Sequence, residues 1–284
     1  MEILKLLRVH HWTKNLLVFI PLFFAGELTQ PSIIVLTLGF ITFCMVSSSI
    51  YIFNDYMDRS ADKMDANKRY RPLASGSVSV KKALIIAVIL LFGTVTLLFQ
   101  LPQLFSVIIG GYFILNILYS TWLKHVPIVD VIIIAIGFLL RIFGGGILGG
   151  VLLSKWIILL TFFVALLIAF AKRRSELLSP DAVKVRPALK GYTLKFTDLI
   201  ITLLSSVSLI FYVMYTIDPE VTNRLNSSYV FLTVIFVLFG FLRYLQQVFV
   251  NNNAGAPADL LIKDHWLKVI ILMWLASFYY FLYV

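Results

Sequence analysis

The sequence is poor in charge and almost free of cysteine. Only 13% of its 284 residues are charged, against 60% that are apolar. Soluble domains carry about 25% charged residues. A mean hydropathy of +0.94 deepens the contrast. These shortages exclude an ordinary water-soluble globule. The lone cysteine, Cys44, excludes an internal disulfide and reads as a small buried hydrophobe in an apolar block. Acids are scarcer than bases, 14 against 24, giving a formal charge of +10. That excess does not imply nucleic acid. The bases sit in short loops between apolar blocks, where they set membrane orientation and meet anionic substrates or lipid headgroups. The first apolar run lacks a convincing small-residue cleavage site, so no cleavable signal peptide is expected.

Apolar residues come in blocks long enough to cross a bilayer. The pattern predicts an all-α polytopic membrane protein, one membrane-embedded domain over 1–284. Nine helices are expected, at about 14–28, 31–54, 82–100, 103–122, 127–148, 152–172, 198–217, 229–249 and 266–284. The first contains Pro21 and is expected to be short, tilted or kinked. One set of loops holds 21 of the 24 basic residues. The positive-inside rule places those loops and the N-terminus in the cytoplasm, and nine spans leave the C-terminus outside. The 55–82 and 172–197 loops each follow an even-numbered helix and are long and charged, as equivalent loops of a duplicated unit would be, but their sequences do not match well enough to show a repeat.

The second helix runs into Asn54-Asp55-Tyr56-Met57-Asp58-Arg59-Ser60-Ala61-Asp62, with Asp65 beyond. The acidic spacings of +3, +4 and +3 put the carboxylates within about 80° of one helical face. Like charges so arranged repel and need a counter-charge. Mg²⁺ suits them: it prefers oxygen and is often held by one or two carboxylates plus substrate phosphates. Asn54, Asp55, Asp58 and Asp62 are the expected metal ligands, and the three aspartates the catalytic acids. Lys68, Arg69 and Arg71 are available for remaining phosphate oxygens. A solvated helix end with scattered ion pairs is the plainer alternative.

Asp130 and Arg141 lie close to three turns apart in the fifth helix, where charge at membrane depth is costly. They either form a buried packing network or border a substrate cavity, with Arg141 open to a phosphate. Gly144-Gly145-Gly146 fits close helix packing better than phosphate cradling. Tyr119 and Lys124 end the fourth helix. Lys14 closes the run His10-His11-Trp12-Thr13-Lys14, which reads either as substrate-facing or as an interfacial aromatic belt. His10 and His11 lack metal-ligand spacing. The run Lys172-Arg173-Arg174-Ser175-Glu176 reads as an orientation signal or as an anion site facing the acidic motif, for which the planar arginine fork is suited.

These residues resemble the UbiA superfamily of membrane prenyltransferases. Its first aspartate-rich motif, NDxxDxxxD, is matched by Asn54, Asp55, Asp58 and Asp62. The helix pattern, the loop polarity and the Tyr119/Lys124 pair also fit. Members typically carry a second motif, DxxxD, after the sixth helix; here Lys172 to Glu176 stand there and Asp181 is isolated. The chain is therefore similar to the phosphoribosyltransferase branch, which shares the Leu7–Asn15 opening, the Asp130…Arg141 helix and the Lys172–Glu176 run. The resemblance implies a nine-helix bundle around a central cavity. It implies Mg²⁺, a 5-phosphoribosyl diphosphate donor and a decaprenyl-like polyprenyl phosphate acceptor. One acidic metal-binding pole and one basic phosphate-binding pole suit a donor with both a diphosphate and a 5-phosphate. Expected substrate contacts are Lys14, Asn54, Arg71, Tyr119, Lys124, Arg141, Lys172, Arg173, Arg174 and Glu176. Membrane lipids surround such a protein, nucleic acid is not a partner, and a homo-oligomer is compatible with it. An aromatic prenyltransferase using a polyprenyl diphosphate is the nearest rival, and a transporter or lipid-binding protein a more distant one.

Overall fold

The computed structural model describes residues 2–27, 29–65, 68–178, 187–225, 227–251, 260 and 263–283. Every regular element among the described residues is helical. The chain forms two compact units, Met1–Leu153 and Ser154–Val284.

The first unit contains α1 (Glu2–Leu7), a 3₁₀ segment (Val9–Phe19), α2 (Ile20–Ala25), α3 (Gln30–Met57), α4 (Arg59–Met64), α5 (Pro72–Ser75), α6 (Val80–Leu98), α7 (Gln103–Thr121) and α8 (Val129–Gly149). Two of these helix starts, those of α3 and α6, are capped by side chains. Thr29 and Ser32 form a reciprocal capping box on α3, and the Ser79 hydroxyl accepts from the Lys82 amide on α6. Gly76 and Gly150 follow α5 and α8 at φ 81° and 68°, a left-handed turn that glycine adopts without steric cost. Phe43, Val46 and Ile50 of α3 pack with Phe105, Ile109 and Tyr112 of α7 in the core, together with Val18 and Leu22. A Cβ on Gly145 would stand 2.1 Å from the Val18 carbonyl oxygen. The triple glycine therefore serves backbone approach, as the packing reading expected.

The second unit contains α9 (Lys155–Leu177), α10 (Leu194–Ile217), α11 (Pro219–Arg224), α12 (Val234–Phe249) and α13 (His265–Tyr283), with 3₁₀ turns at Pro187–Gly191 and Val230–Thr233. The Ser154 and Thr193 hydroxyls cap α9 and α10 by accepting from Ile157 and Phe196 amides. The Tyr212 hydroxyl lies 2.7 Å from that of Thr233 and accepts from Trp274 Nε1 at 2.6 Å, tying α10, the 3₁₀ turn and α13 together.

Seven helices among the described residues are long and apolar enough to cross a membrane, from Ser32–Met57 to Val230–Phe249. The chain is an integral membrane protein. The expected count of nine is not reached by this measure. The segment expected at 14–28 is instead a 3₁₀ run followed by six residues of α-helix. Pro21 withholds an amide there, and the polar run before it hydrogen-bonds α3. The final apolar stretch, His265–Phe281, is helical but shorter than a full crossing.

Candidate active site

The acidic motif lies where α3 passes into α4. The Asp58 amide bonds the Asn54 carbonyl at 2.9 Å and the Asp62 amide bonds the Asp58 carbonyl at 2.8 Å, but Asp58 itself stands between the two helices at φ -88° and ψ 1°. The spacing reads as one continuous helical face; the break at Asp58 instead divides the motif between two helices, with Asp55 on α3 and Asp62 on α4. The side chains also divide between partners. Asp55 is 2% exposed. It accepts from Arg8 of the N-terminal segment and from Arg71 Nη1 at 3.3 Å. The same Arg71 nitrogen bonds Asp62 Oδ2 at 2.7 Å, so one guanidinium bridges two buried carboxylates. Asp58 turns elsewhere. Its Oδ1 accepts from Lys124 Nζ at 2.5 Å and its Oδ2 from Asn54 Nδ2 at 3.1 Å. Asp65 pairs with Lys68 at 3.3 Å, and Arg69 donates to the Tyr70 hydroxyl.

Three carboxylates thus meet three bases: Asp55, Asp58 and Asp62 against Arg8, Arg71 and Lys124. Burying charge demands such matching, since an uncompensated ion costs several kcal/mol. The cluster is not sealed. The Asp58 side chain is 30% exposed and that of Arg71 26%. Its hydrogen bonds can therefore be exchanged for those of an incoming ligand.

Among the described residues no three His, Cys, Asp or Glu side chains converge on a metal position. A hard cation that retains water and shares phosphate oxygens asks for only one or two carboxylates. Asn54 and Asp58 offer an amide and a carboxylate at an open edge, and Asp55 and Asp62 share the Arg71 guanidinium. This oxygen donor set fits Mg²⁺ shared with a phosphate. It does not fit a closed, protein-only metal cage.

Arg8 was not singled out from the sequence as a site residue. Its partner lies 47 positions away, and only its place in the basic opening run hinted at it. Lys14 is half buried on the 3₁₀ segment and Tyr119 half buried on α7.

Arg141 takes a different place from the phosphate ligand expected of it. It is 5% exposed. It donates from Nε to Asn15 Oδ1 at 2.7 Å, from Nη1 to the Gly137 carbonyl at 2.6 Å and from Nη2 to the Tyr112 hydroxyl at 2.8 Å. Its guanidinium also lies 4.8 Å from the Tyr112 ring centroid. This is the buried packing network, the other of the two readings. Asp130 is fully buried on the same helix.

In the second unit the basic run also divides. Lys172 is exposed. Arg173 is 1% exposed and donates to Glu176 at 2.7 Å. Arg174 donates to Asp198 at 2.6 Å and to the Val248 carbonyl at 2.9 Å, and lies over the Phe249 ring. It ties α9 to α10 and α12. The run reads from the sequence as an orientation signal or as an anion site; Arg173 and Arg174 are buried and held by these protein partners. Asp181, Lys184 and Arg186 lie outside the described residues.

Comparison with known proteins follows the same lines. The sequence profile of the UbiA prenyltransferase family matches residues 15–258. The chain is 30% identical to the decaprenyl-phosphate phosphoribosyltransferase of Corynebacterium glutamicum, over 95% of this chain and 83% of that protein. It is 29% identical to the enzyme of the same name from Mycolicibacterium smegmatis, over 97% and 90%. Among solved structures it resembles a UbiA homolog from Archaeoglobus fulgidus bound to DMAPP and Mg²⁺, with a TM-score of 0.71, 19% identity and full coverage of both chains. At that identity the likeness speaks for the fold.

Proposed function

This chain belongs to the UbiA prenyltransferase family, and from that membership we propose that it transfers the 5-phosphoribosyl group of 5-phosphoribosyl 1-diphosphate to a polyprenyl phosphate. Pyrophosphate is the other product. The relatives that match almost end to end carry the name of that activity. The observation that carries the reading within the molecule is the open cluster of three acids and three bases at the end of α3.

Such a cluster suits a metal diphosphate. Asp58 and Asn54, with Asp55 and Asp62, would hold a divalent cation, Mg²⁺ by their oxygen chemistry. The bound cation supplies neutralisation of charge on the departing pyrophosphate. Arg71 and Lys124 are the protein's own diphosphate ligands, exchanging carboxylate oxygens for phosphate oxygens of the same geometry. Lys172, the exposed member of the basic run, is the phosphate ligand we assign to the second unit, and Lys14 and Tyr119 are assigned to substrate contact in the first. Arg141, Arg173 and Arg174 serve the scaffold.

The acceptor phosphate is anionic at neutral pH and needs no strong base. Its oxygen forms a bond to the ribose anomeric carbon as the bond from that carbon to the diphosphate oxygen breaks, the electron pair leaving with pyrophosphate. Charge develops on the leaving group, which Arg71 and Lys124 meet. Positioning and electrostatics supply the rate. The whole chain works as one transferase domain, with the N-terminus and the acidic motif on the cytoplasmic side, as the loop charges favour.

The test uses purified full-length protein with Mg²⁺, labelled 5-phosphoribosyl diphosphate and decaprenyl phosphate. Label should pass to the lipid phase. In parallel a prenyl diphosphate is offered with an aromatic acid; prenylated product there, with none in the first mixture, would overturn the proposal.

A further inference from the structure

The N-terminal 3₁₀ segment carries three features that holding a diphosphate does not require. It runs for 11 residues, whereas 3₁₀ helices longer than about four residues are uncommon and often mark strain. The residue before it, Arg8, stands at φ 50° and ψ 47°, a left-handed conformation rarely taken by a side-chain-bearing residue. The segment also lies on a polar strip of an otherwise apolar helix.

That strip is regular. Asn15 Nδ2 donates to Cys44 Sγ at 3.2 Å and reaches Ser47 Oγ at 3.4 Å. Trp12 Nε1 donates to Ser48 Oγ at 3.0 Å, and the Ser48 hydroxyl donates to the Leu7 carbonyl at 2.9 Å. His11 packs on Tyr51 and the Arg8 guanidinium lies 5.0 Å from the same ring. Arg8 then meets Asp55. Positions 44, 48, 51 and 55 fall within about 60° of one helical face. Residue by residue, the segment is fastened antiparallel along α3, and its last fastening is the acidic cluster.

At the other end the fastening is locked. Arg141 donates to the Asn15 carbonyl oxygen of the side chain while Asn15's amide donates to α3. Asn15 therefore has its orientation fixed from both sides: only the Oδ1 face can accept from Arg141. Arg141 is itself fixed by Gly137 and Tyr112.

We propose that Asn15 and Arg141 are positioning residues, a clamp that holds the N-terminal segment along α3 and so keeps Arg8 in its left-handed conformation on Asp55. The proposal rests on the reading of the Asp55 cluster as the diphosphate site. It explains why a buried arginine, some way along α8 from the acidic motif, is retained in a membrane helix. A backbone conformation of high energy persists only where its surroundings over-determine it, and the clamp is the far anchor of those surroundings.

Cys44 is the sole cysteine and lies beneath Asn15, so its alkylation rate reports detachment of the segment without reference to catalysis. In full-length protein, Arg141→Met should raise the rate of maleimide labelling about tenfold, since a loosened local structure opens more often. Asn15→Leu, which keeps the bonds of Arg141 to Tyr112 and Gly137, should do the same and serves where Arg141→Met fails to fold. A labelling rate equal to that of the unaltered protein in the folded variants overturns the clamp. The second readout is kinetic. Arg141→Met should lower kcat/KM for the phosphoribosyl donor about tenfold, and should add nothing when Arg8→Ala is already present. Multiplying losses would make Arg141 a general structural residue and overturn its action through Arg8. Absence of turnover in the unaltered protein would instead fall on the transferase reading, and the labelling comparison would still decide the clamp.

Discussion

The two units use the same charged residue types to opposite ends. At the end of α3, acids are matched by bases far away in sequence: Arg8, Arg71 and Lys124 come from three separate elements. The cluster keeps an open edge. In the second unit the partners serve helix packing. Arg173 meets Glu176 one turn on, and Arg174 and Arg243 link neighbouring helices through Asp198, Val248 and Asp264. Density of charge does not distinguish a site from a scaffold. What distinguishes them is the source of the partners: in the first unit three carboxylates of one motif meet bases from three distant parts of the chain, while in the second each base is used to fasten one helix to its own turn or to a neighbour.

Metal removal should separate the two units most strongly. Chelation of divalent cations should bring lipid-phase labelling to background, and added Mg²⁺ should restore it; the thermal midpoint should move by only about 2 °C or less, because the three acids keep their protein bases. Turnover unaffected by chelator would remove the metal from the first unit. Next in size is Asp58→Asn. It should lower kcat/KM by about a thousandfold or more, as expected for a group facing developing charge, with the folded fraction unchanged by size-exclusion chromatography. Full activity would sink the assignment.

The converse is expected of Arg174→Met. Two charge-assisted hydrogen bonds that join three helices are lost, at about 2–4 kcal/mol. The thermal midpoint should fall several degrees, while kcat/KM per folded molecule stays within about threefold. A large loss of kcat/KM at unchanged stability would return Arg174 to the phosphate-binding role first read from its sequence.

Much of this division was hidden in the sequence. The apolar runs were readable: the helix expected at 103–122 is Gln103–Thr121, and that at 127–148 is Val129–Gly149. Hydrophobic length encodes a span directly. The acidic motif was also readable, because its spacing repeats with the helix. Two things were not. The 3₁₀ segment reads from hydropathy as leading into a membrane helix, although Trp12, Asn15 and Val18 recur at the interval of three that a 3₁₀ helix presents on one face. The complementary signal, Ser47-Ser48-Ser49 within an apolar helix, sits more than thirty residues away. Likewise nothing local tells that Lys172 is exposed while Arg173 and Arg174 are buried. Pairing across elements is a property of the fold, and single-sequence patterns report only the neighbours along one helix.

The smallest expected effect tests the scaffold side of the comparison by pH. Arg243 donates to both oxygens of Asp264, at 3.3 and 3.1 Å from Nε and at 2.8 Å from Nη2, and Gln247 adds a bond at 2.7 Å. Hydrogen bonding from Arg243 holds the Asp264 carboxyl below its ordinary value of 3.8. A carboxylate whose folded pKa is depressed contributes stability that is fully present above its unfolded pKa and is lost as pH falls through the folded one. The link between α12 and α13 should thus be constant from neutral pH down to about 5 and weaken only below the ordinary carboxylate range. The Leu267 amide, which bonds Asp264 Oδ1 at 2.9 Å, is the local probe. Its hydrogen exchange, corrected for intrinsic pH dependence, should be flat to about pH 5 and faster below pH 4. In Arg243→Gln the onset of faster exchange should move to higher pH, because the depressing partner is gone. An onset unmoved by that substitution would show that Asp264 is held by its backbone and Gln247 contacts rather than by its ion pair.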